Sequence, residues 1–293
     1  MISKFLFKLK IYSEYLVVLL IFRFLSMLPI NLVSKIGGYF FKLLGPLTKT
    51  NNITKENYLK IHPNAKSKEV SLQTKLSWSN IGKTFFELLI LPKIIFNSNK
   101  IKLEGVKQVE DIIKNNEQVI FIGIHESNWE ILLPTIDKIG IKLGGIYRHI
   151  NNPLINNLIL KQRNKSISSN QSFYTPKGIQ SAKEIINAIK KNFSVILLID
   201  QKDSAGEIVP FFNIPSKTQI GFLKLAKKYK MKIIPVHNIR HNLNNFTIRF
   251  YPPLKNLDNE NSDIEAMEKI HLIIENWIKD LPSNWFLQHN RFN

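Results

Sequence analysis

The run Gln118-Val-Ile-Phe-Ile-Gly-Ile-His125-Glu-Ser-Asn-Trp-Glu130 carries one histidine at the end of an apolar, β-branched stretch, with a carboxylate five residues later. An imidazole with an acid in reach can take a proton from a hydroxyl, because the acid orients the ring and stabilises the imidazolium. Spacing alone carries little. With 7 His and 22 acidic residues in 293, an acid five places after some histidine arises by chance about half the time, and only His125 meets the condition. Placement adds more. Gln118 to Ile124 reads as a buried strand, and Asn128-Trp-Glu-Ile-Leu-Leu-Pro as a helix start with Ser127 or Asn128 as N-cap. A histidine in the turn between them sits where open α/β sheets hold ligands. A core histidine bonded to backbone is the bland alternative.

Two further runs end on what would be the same edge. Val195-Ile-Leu-Leu-Ile-Asp200-Gln201 delivers Asp200 and Gln201 beside His125 if the two strands are parallel, although Asp200 could simply cap a turn. Tyr147-Arg148-His149-Ile-Asn-Asn152-Pro153 delivers Arg148, whose planar fork suits phosphate or carboxylate, or else a surface ion pair. The segment Val209-Pro210-Phe211-Phe212 suits an acyl-groove wall or ordinary core equally well.

Other motifs fail. Gly82-Lys83-Thr84 lacks a P-loop's upstream glycine, since position 77 is Ser. His125-Glu126 is not a zinc motif, because position 129 is Trp. His237 and His241 have no adjacent acid or third histidine, so no metal site is expected there. Neither a nucleophile elbow nor a glycine-rich dinucleotide fingerprint is present. The chain has no cysteine, which excludes disulfides, thiolate catalysis and zinc ribbons.

The elements that must position these groups alternate from residue 100 onward. Strand-like runs are 101–103, 119–124, 143–147, 194–199, 232–236 and 246–250. Helix-like runs are 106–114, 129–138, 153–163, 178–190, 218–230 and 263–279. Alternation of this kind predicts an α/β sheet covered on both faces. Before it, Leu76 to Phe96 is helical by pattern, with Pro92 marking an end or kink.

Residues 1–50 differ. Lys4, Lys8 and Lys10 precede an apolar run, Tyr15 to Val33, interrupted by Arg23, Ser26, Pro29 and Asn31. No small-residue cleavage site follows, which argues against a signal peptide, and the interruptions argue against a clean spanning helix. The reading is a helical membrane-embedded or interfacial anchor bent at Pro29, with a soluble helical hairpin as the alternative. Two parts follow: an anchor over 1–50 and a catalytic domain over 51–293.

The formal charge is +19 and the pI about 9.9, which suggests an anionic membrane surface, an acidic carrier protein or nucleic acid as partner. Only six basic residues are Arg: Arg23, Arg148, Arg163, Arg240, Arg249 and Arg291. In a lysine-rich chain these rare forks are the ones whose geometry lysine cannot replace.

Taken in order, the blocks Gly123-Ile-His125-Glu-Ser-Asn128-Trp129-Glu130, Tyr147-Arg148 through Asn152-Pro153, Asp200-Gln201 with Val209-Pro-Phe-Phe212, Thr218-Gln-Ile-Gly221, and Trp277 through Pro282-Ser-Asn-Trp285 to His289-Asn-Arg291-Phe292 resemble the lipid A biosynthesis acyltransferases, the late lauroyl/myristoyl transferases of Gram-negative bacteria. Agreement covers about 100–293, and the hydrophobic start resembles the family's membrane-anchored one. Three positions depart: Ser127 and Asn213 stand where the family commonly has Gly, and Asn290 where it has Arg. Asn164 to Tyr174 matches poorly.

The resemblance implies a glycerolipid-acyltransferase-like fold: a mixed, mostly parallel sheet flanked by helices behind an N-terminal helical membrane anchor. It also implies an acyl–acyl carrier protein donor and, as acceptor, a hydroxyl on an acylated, phosphorylated glucosamine-disaccharide lipid A precursor. His125 is then the general base and Glu130 its orienting acid. Arg148, Asn128, Asn152, Asp200 and Gln201 are the expected substrate-binding residues, and backbone N–H groups at Asn128 and Trp129 the candidate oxyanion donors. No metal or organic cofactor is expected, because a thioester is already activated. Membrane lipids are expected partners and nucleic acid is not, since no nucleic-acid module appears. The expected place is the cell inner membrane with the catalytic domain facing the cytoplasm. A related transferase with another glycolipid or phospholipid acceptor, a hydrolase, and a non-catalytic basic binding protein are the competing readings.

Overall fold

The computed structural model describes residues 2–97, 99–255 and 262–292. Two hydrophobic helices lead the chain, α1 (Ile2–Met27) and α2 (Ile30–Leu44), and the break between them falls at Pro29. That proline, fixed in φ and lacking an N–H, ends one helix and opens the next. Then come α3 (Thr50–Ile61), α4 (Ser67–Leu89) and the short α5 (Leu91–Ile95), with Pro92 in its first turn. Helices α2 and α4 cross closely because glycines face each other: a Cβ added at Gly37 would lie 2.5 Å from the Gly82 carbonyl oxygen, and one at Gly82 2.2 Å from that of Gly37. This packing role accounts for the glycine of Gly82-Lys83-Thr84.

The remainder builds the sheet. In chain order its elements are β1 (Ile101–Glu104), α6 (Lys107–Asn115), β2 (Val119–Gly123), α7 (Leu132–Lys138), β3 (Leu143–Tyr147), α8 (Pro153–Lys165), β4 (Phe173–Pro176), α9 (Ile179–Lys190) and β5 (Ser194–Leu198). A hairpin follows, β6 (Lys202–Phe211) and β7 (Ile214–Thr218). The chain closes with α10 (Gly221–Tyr229), β8 (Lys232–Arg240), β9 (Phe246–Phe250) and α11 (Asp263–Asp280). The main sheet runs β1-β9-β8-β2-β5-β3-β4, parallel at every pairing except β8–β9. The strand β4 and the separate β6–β7 hairpin are additions to the elements read from sequence, and the helix expected from Trp129 opens instead as a 3-10 turn over Trp129–Ile131.

Strand β2 is buried throughout and feeds both faces. Val119 and Phe121 pack with α5, α6 and α7, while Ile120 and Ile122 pack with α9, α10 and α11. A third cluster joins Phe211 and Phe212 of the hairpin to Trp277, Ile278 and Trp285. The paired phenylalanines are therefore core.

Packing also ties residues 1–50 to the rest. Asn152 caps α8 through its Oδ1 and donates its amide to the Ile11 carbonyl (2.9 Å) and the Glu14 carboxylate (3.0 Å) on α1. Among the described residues no helix is long and apolar enough to cross a membrane.

Candidate active site

Parallel pairing sets Gly123 opposite Leu198, at the carboxyl ends of β2 and β5. Two residues further along each strand stand His125 and Asp200. Asp200 Oδ1 lies 2.8 Å from His125 Nδ1 and accepts the His125 backbone N–H at 3.0 Å. Its Oδ2 accepts the indole N–H of Trp285 at 2.7 Å. Burial alone would raise the Asp200 carboxyl, but the charge of His125, its ring and backbone bonds and the Trp285 bond outweigh burial and hold it below the usual carboxylate range. An ionised Asp200 accepts a proton-bearing Nδ1, which leaves the Nε2 lone pair for an incoming proton.

His125 borders a cavity of about 900 Å³. Trp129 and Phe286 flank its ring at 5.3 and 6.4 Å between centroids. Leu132, Leu133, Gly145, Ile159, Ile196 and Leu198 supply the cavity's apolar lining. Polar groups border it as well, with Arg148 exposed and Gln201 half-buried. Val18 of α1 and Ile53 of α3 also line it, so the N-terminal helices help build the site. A cavity with this much apolar lining beside a histidine has room for a hydrocarbon chain whose reacting end lies against the ring.

Glu130 does not orient the histidine. The 3-10 turn carries it toward α8, where Arg163 Nε and Nη2 donate to its two oxygens at 2.8 and 2.7 Å. This buried fork-on-carboxylate pair forms part of the cavity wall, and the Arg163 guanidinium lies over Tyr147 and Tyr174. The acid that meets the ring arrives from β5, 75 positions along the chain.

Two residues expected to bind substrate hold the scaffold instead. Asn128 is fully buried: its amide donates to Glu87 (2.8 Å) and its Oδ1 accepts the Glu130 N–H (3.2 Å). Asn152 caps α8 and anchors α1, and neither residue lines the cavity. Of the two candidate oxyanion donors only Trp129 borders the cavity.

Behind the turn, Glu87 receives Arg240 through both Nη atoms at 2.7 and 2.9 Å, Ser34 at 2.7 Å and Asn128. This network connects α2, α4 and β8 to the turn that follows His125. Ser127 adopts φ +52°, left-handed backbone that favours glycine, and its hydroxyl accepts the Arg240 N–H at 3.0 Å. Next to it, burial pushes the Glu126 carboxyl up against the pull of His237, whose Nε2 lies 3.1 Å away without forming a well-directed hydrogen bond.

Sequence reasoning missed His289 as a cavity residue. Its Nε2 accepts the Lys202 N–H at 3.1 Å, so the neutral ring carries its proton on Nδ1. Burial, with help from His125, Arg291 and Arg148 against the pull of Asp200, lowers it to about 4. In the sequence Trp285 stands out only within a block, and Arg291 also as one of the six arginines. Arg291 is buried, donating to the Lys217 carbonyl (2.9 Å) and Thr218 hydroxyl (2.7 Å), and burial lowers it to about 10. Among the described residues no cluster of three or more His, Asp or Glu could hold a metal.

A base-bearing cavity at the carboxyl edge of a mostly parallel sheet fits a transferase acting on a long-chain substrate. The model of the bacterial lipid A biosynthesis acyltransferase family matches residues 2–293, and the chain belongs to that family. It is an acyltransferase with a lipid acceptor. A comparison with curated proteins returned no match. Among solved structures, the 1-acyl-sn-glycerophosphate (LPA) acyltransferase PlsC from Thermotoga maritima is similar over 87% of this chain and 97% of that one, at 13% identity and a TM-score of 0.40.

Proposed function

We propose that this protein transfers a fatty acyl chain from acyl–acyl carrier protein to a hydroxyl of an acylated, phosphorylated glucosamine-disaccharide lipid A precursor. The His125–Asp200 pair at the cavity carries this reading. An alcohol attacks a thioester slowly at neutral pH, and removal of its proton as it attacks accelerates that step. Nε2 of His125 takes the hydroxyl proton, and Asp200 fixes the ring and stabilises the imidazolium. The attacking oxygen bonds to the thioester carbon, the C–S bond breaks, and the imidazolium returns its proton to the departing thiolate. The acyl chain lies against the apolar lining, and the exposed Arg148 binds acceptor phosphate.

The protein works at the inner membrane with the cavity on the cytoplasmic side. Leu20, Phe24 and Met27 of α1 and Tyr39 and Leu43 of α2 expose apolar side chains, with Arg23, Lys35 and Lys42 on the same two helices. Such a surface suits a bilayer face carrying anionic lipids.

The test incubates membranes bearing the wild type or His125→Ala with labelled acyl–acyl carrier protein and a tetra-acylated lipid A precursor, followed by mass spectrometry of the acceptor. Gain of one acyl chain, lost in the variant, supports the reading. Free fatty acid with an unchanged acceptor would make the protein a hydrolase.

A further inference from the structure

We propose that Trp285 is a positioning residue of the proton relay, its indole N–H holding Asp200 in place as the ionised partner of His125. This rests on the reading of His125 as general base.

The carboxylate divides its oxygens between two jobs. Oδ1 serves His125, accepting at 2.8 Å from the ring and 3.0 Å from the backbone, while Oδ2 accepts from Trp285 at 2.7 Å. With both oxygens occupied from different directions, the carboxylate plane is fixed. Trp285 is 2% exposed, and its ring packs edge-on against Phe211 at 6.0 Å and Phe292 at 6.4 Å. An indole N–H donates and never accepts, so it favours the charged carboxylate over the neutral acid.

The segment carrying Trp285 is joined to both turns of the relay. Ser127 donates its N–H to the Asn284 carbonyl at 2.8 Å, and Phe286 donates to the His125 carbonyl at 2.8 Å. On the Asp200 side, Lys202 donates to His289 at 3.1 Å. Asn80 of α4 holds the Asn284 carbonyl at 3.0 Å, and Asn57 of α3 holds that of Leu287 at 2.8 Å. The last residues of the chain thus brace the pair contributed by β2 and β5. Among the described residues, Glu126, His289 and Arg291 also act on Asp200.

Without the indole donor, Asp200 holds its negative charge less firmly and the pair binds a proton more readily. The full-length chain in membranes is compared with a form in which β-(3-benzothienyl)alanine replaces Trp285, a ring of the same shape with sulfur for N–H. Trp285→His, which retains a donor, is the rescue variant. Two readouts are taken against pH: kcat/KM for acyl transfer, and carbethoxylation of His125 by diethyl pyrocarbonate, located by peptide mass spectrometry.

In the isostere both acid limbs move to higher pH by roughly one unit, with a fall of about tenfold in turnover below the moved limb and recovery above it. Trp285→His stays close to the wild-type limb. Unmoved limbs in the isostere, with or without loss of turnover at every pH, would reduce Trp285 to a packing residue and overturn the proposal. Carbethoxylation needs no substrate, so it decides the relay even if the wild type transfers no acyl chain.

Discussion

Asp200 Oδ1 stands 2.8 Å from His125 Nδ1 because β2 and β5 are parallel neighbours whose register, continued two residues past Gly123 and Leu198, sets the two side chains opposite each other. The His125–Asp200 contact is thus a product of strand pairing. Neither residue needs an unusual loop to reach the other, and the cavity opens beside them at the edge where parallel strands leave their ends.

Asp200→Asn tests the relay directly. Asparagine retains the shape but loses the charge, and its amide can present an N–H to Nδ1 and favour the tautomer that blocks Nε2. In serine proteases the equivalent change costs about 10⁴-fold in kcat. A fall of about 10³ to 10⁴-fold is expected here, with KM nearly constant, measured by steady-state acyl transfer on folded protein. Activity within tenfold of wild type would remove Asp200 from the mechanism.

The Glu130–Arg163 pair should govern stability as well as the cavity wall. Glu130→Ala leaves a guanidinium buried without its carboxylate, and breaking such a pair costs about 3–5 kcal/mol. The double variant Glu130→Ala with Arg163→Met should recover part of that loss, because no charge remains stranded. Denaturant unfolding of the two variants measures the difference. Equal stability of wild type and Glu130→Ala would mean that the pair contributes nothing net.

Much of this site was legible in the sequence. Both β2 and β5 stand out as apolar runs ending in polar groups, and a parallel arrangement places Asp200 on the edge of His125. What remained hidden was which acid meets the ring. Glu130 is near in sequence, but a 3-10 turn directs it to α8, while Asp200 is distant and is brought in by sheet order. Arg163 was visible only as one of six arginines. The departures at Ser127 and Asn213 acquire a physical sense: both have positive φ, +52° and +59°, where glycine pays no steric penalty. Asn tolerates that conformation, and Ser127 gains the Arg240 N–H as partner. The hairpin strand β6 escaped detection because Lys202 to Phe211 contains Gly206 and Pro210 and shows no clean alternation.

Arg148 belongs to substrate recognition if its exposed guanidinium beside the cavity grips acceptor phosphate. Arg148→Ala should then raise KM for a phosphorylated acceptor by about tenfold and leave kcat nearly unchanged, the signature of lost uniform binding. Arg148→Lys should recover only part, since a point charge lacks the fork. A dephosphorylated acceptor should not distinguish the variants from wild type. An equal KM effect on both acceptors would assign Arg148 to another contact.

His271 makes stability depend on pH. It is buried, with Nδ1–H donating to the Pro210 carbonyl at 2.6 Å, and burial lowers it to about 4, against the help of that bond and with a further push from Arg291. Between about 4 and the ordinary 6.5 the unfolded chain binds a proton that the folded chain does not. Stability therefore rises with pH across this window. The contribution is complete above about 6.5 and is lost as pH falls through about 4, with a total of the order of 3 kcal/mol. His289, lowered in the same direction but partly open to the cavity, adds a smaller part; Glu126, raised by burial, works against both above the ordinary carboxylate range, and Asp200 acts below that range. Denaturant unfolding from pH 7.5 down to 4 isolates this part as a difference: wild type should lose stability more steeply than His271→Asn, which cannot titrate at that position. A wild-type profile as flat as the variant's would mean that the buried ring accepts its proton without opposition.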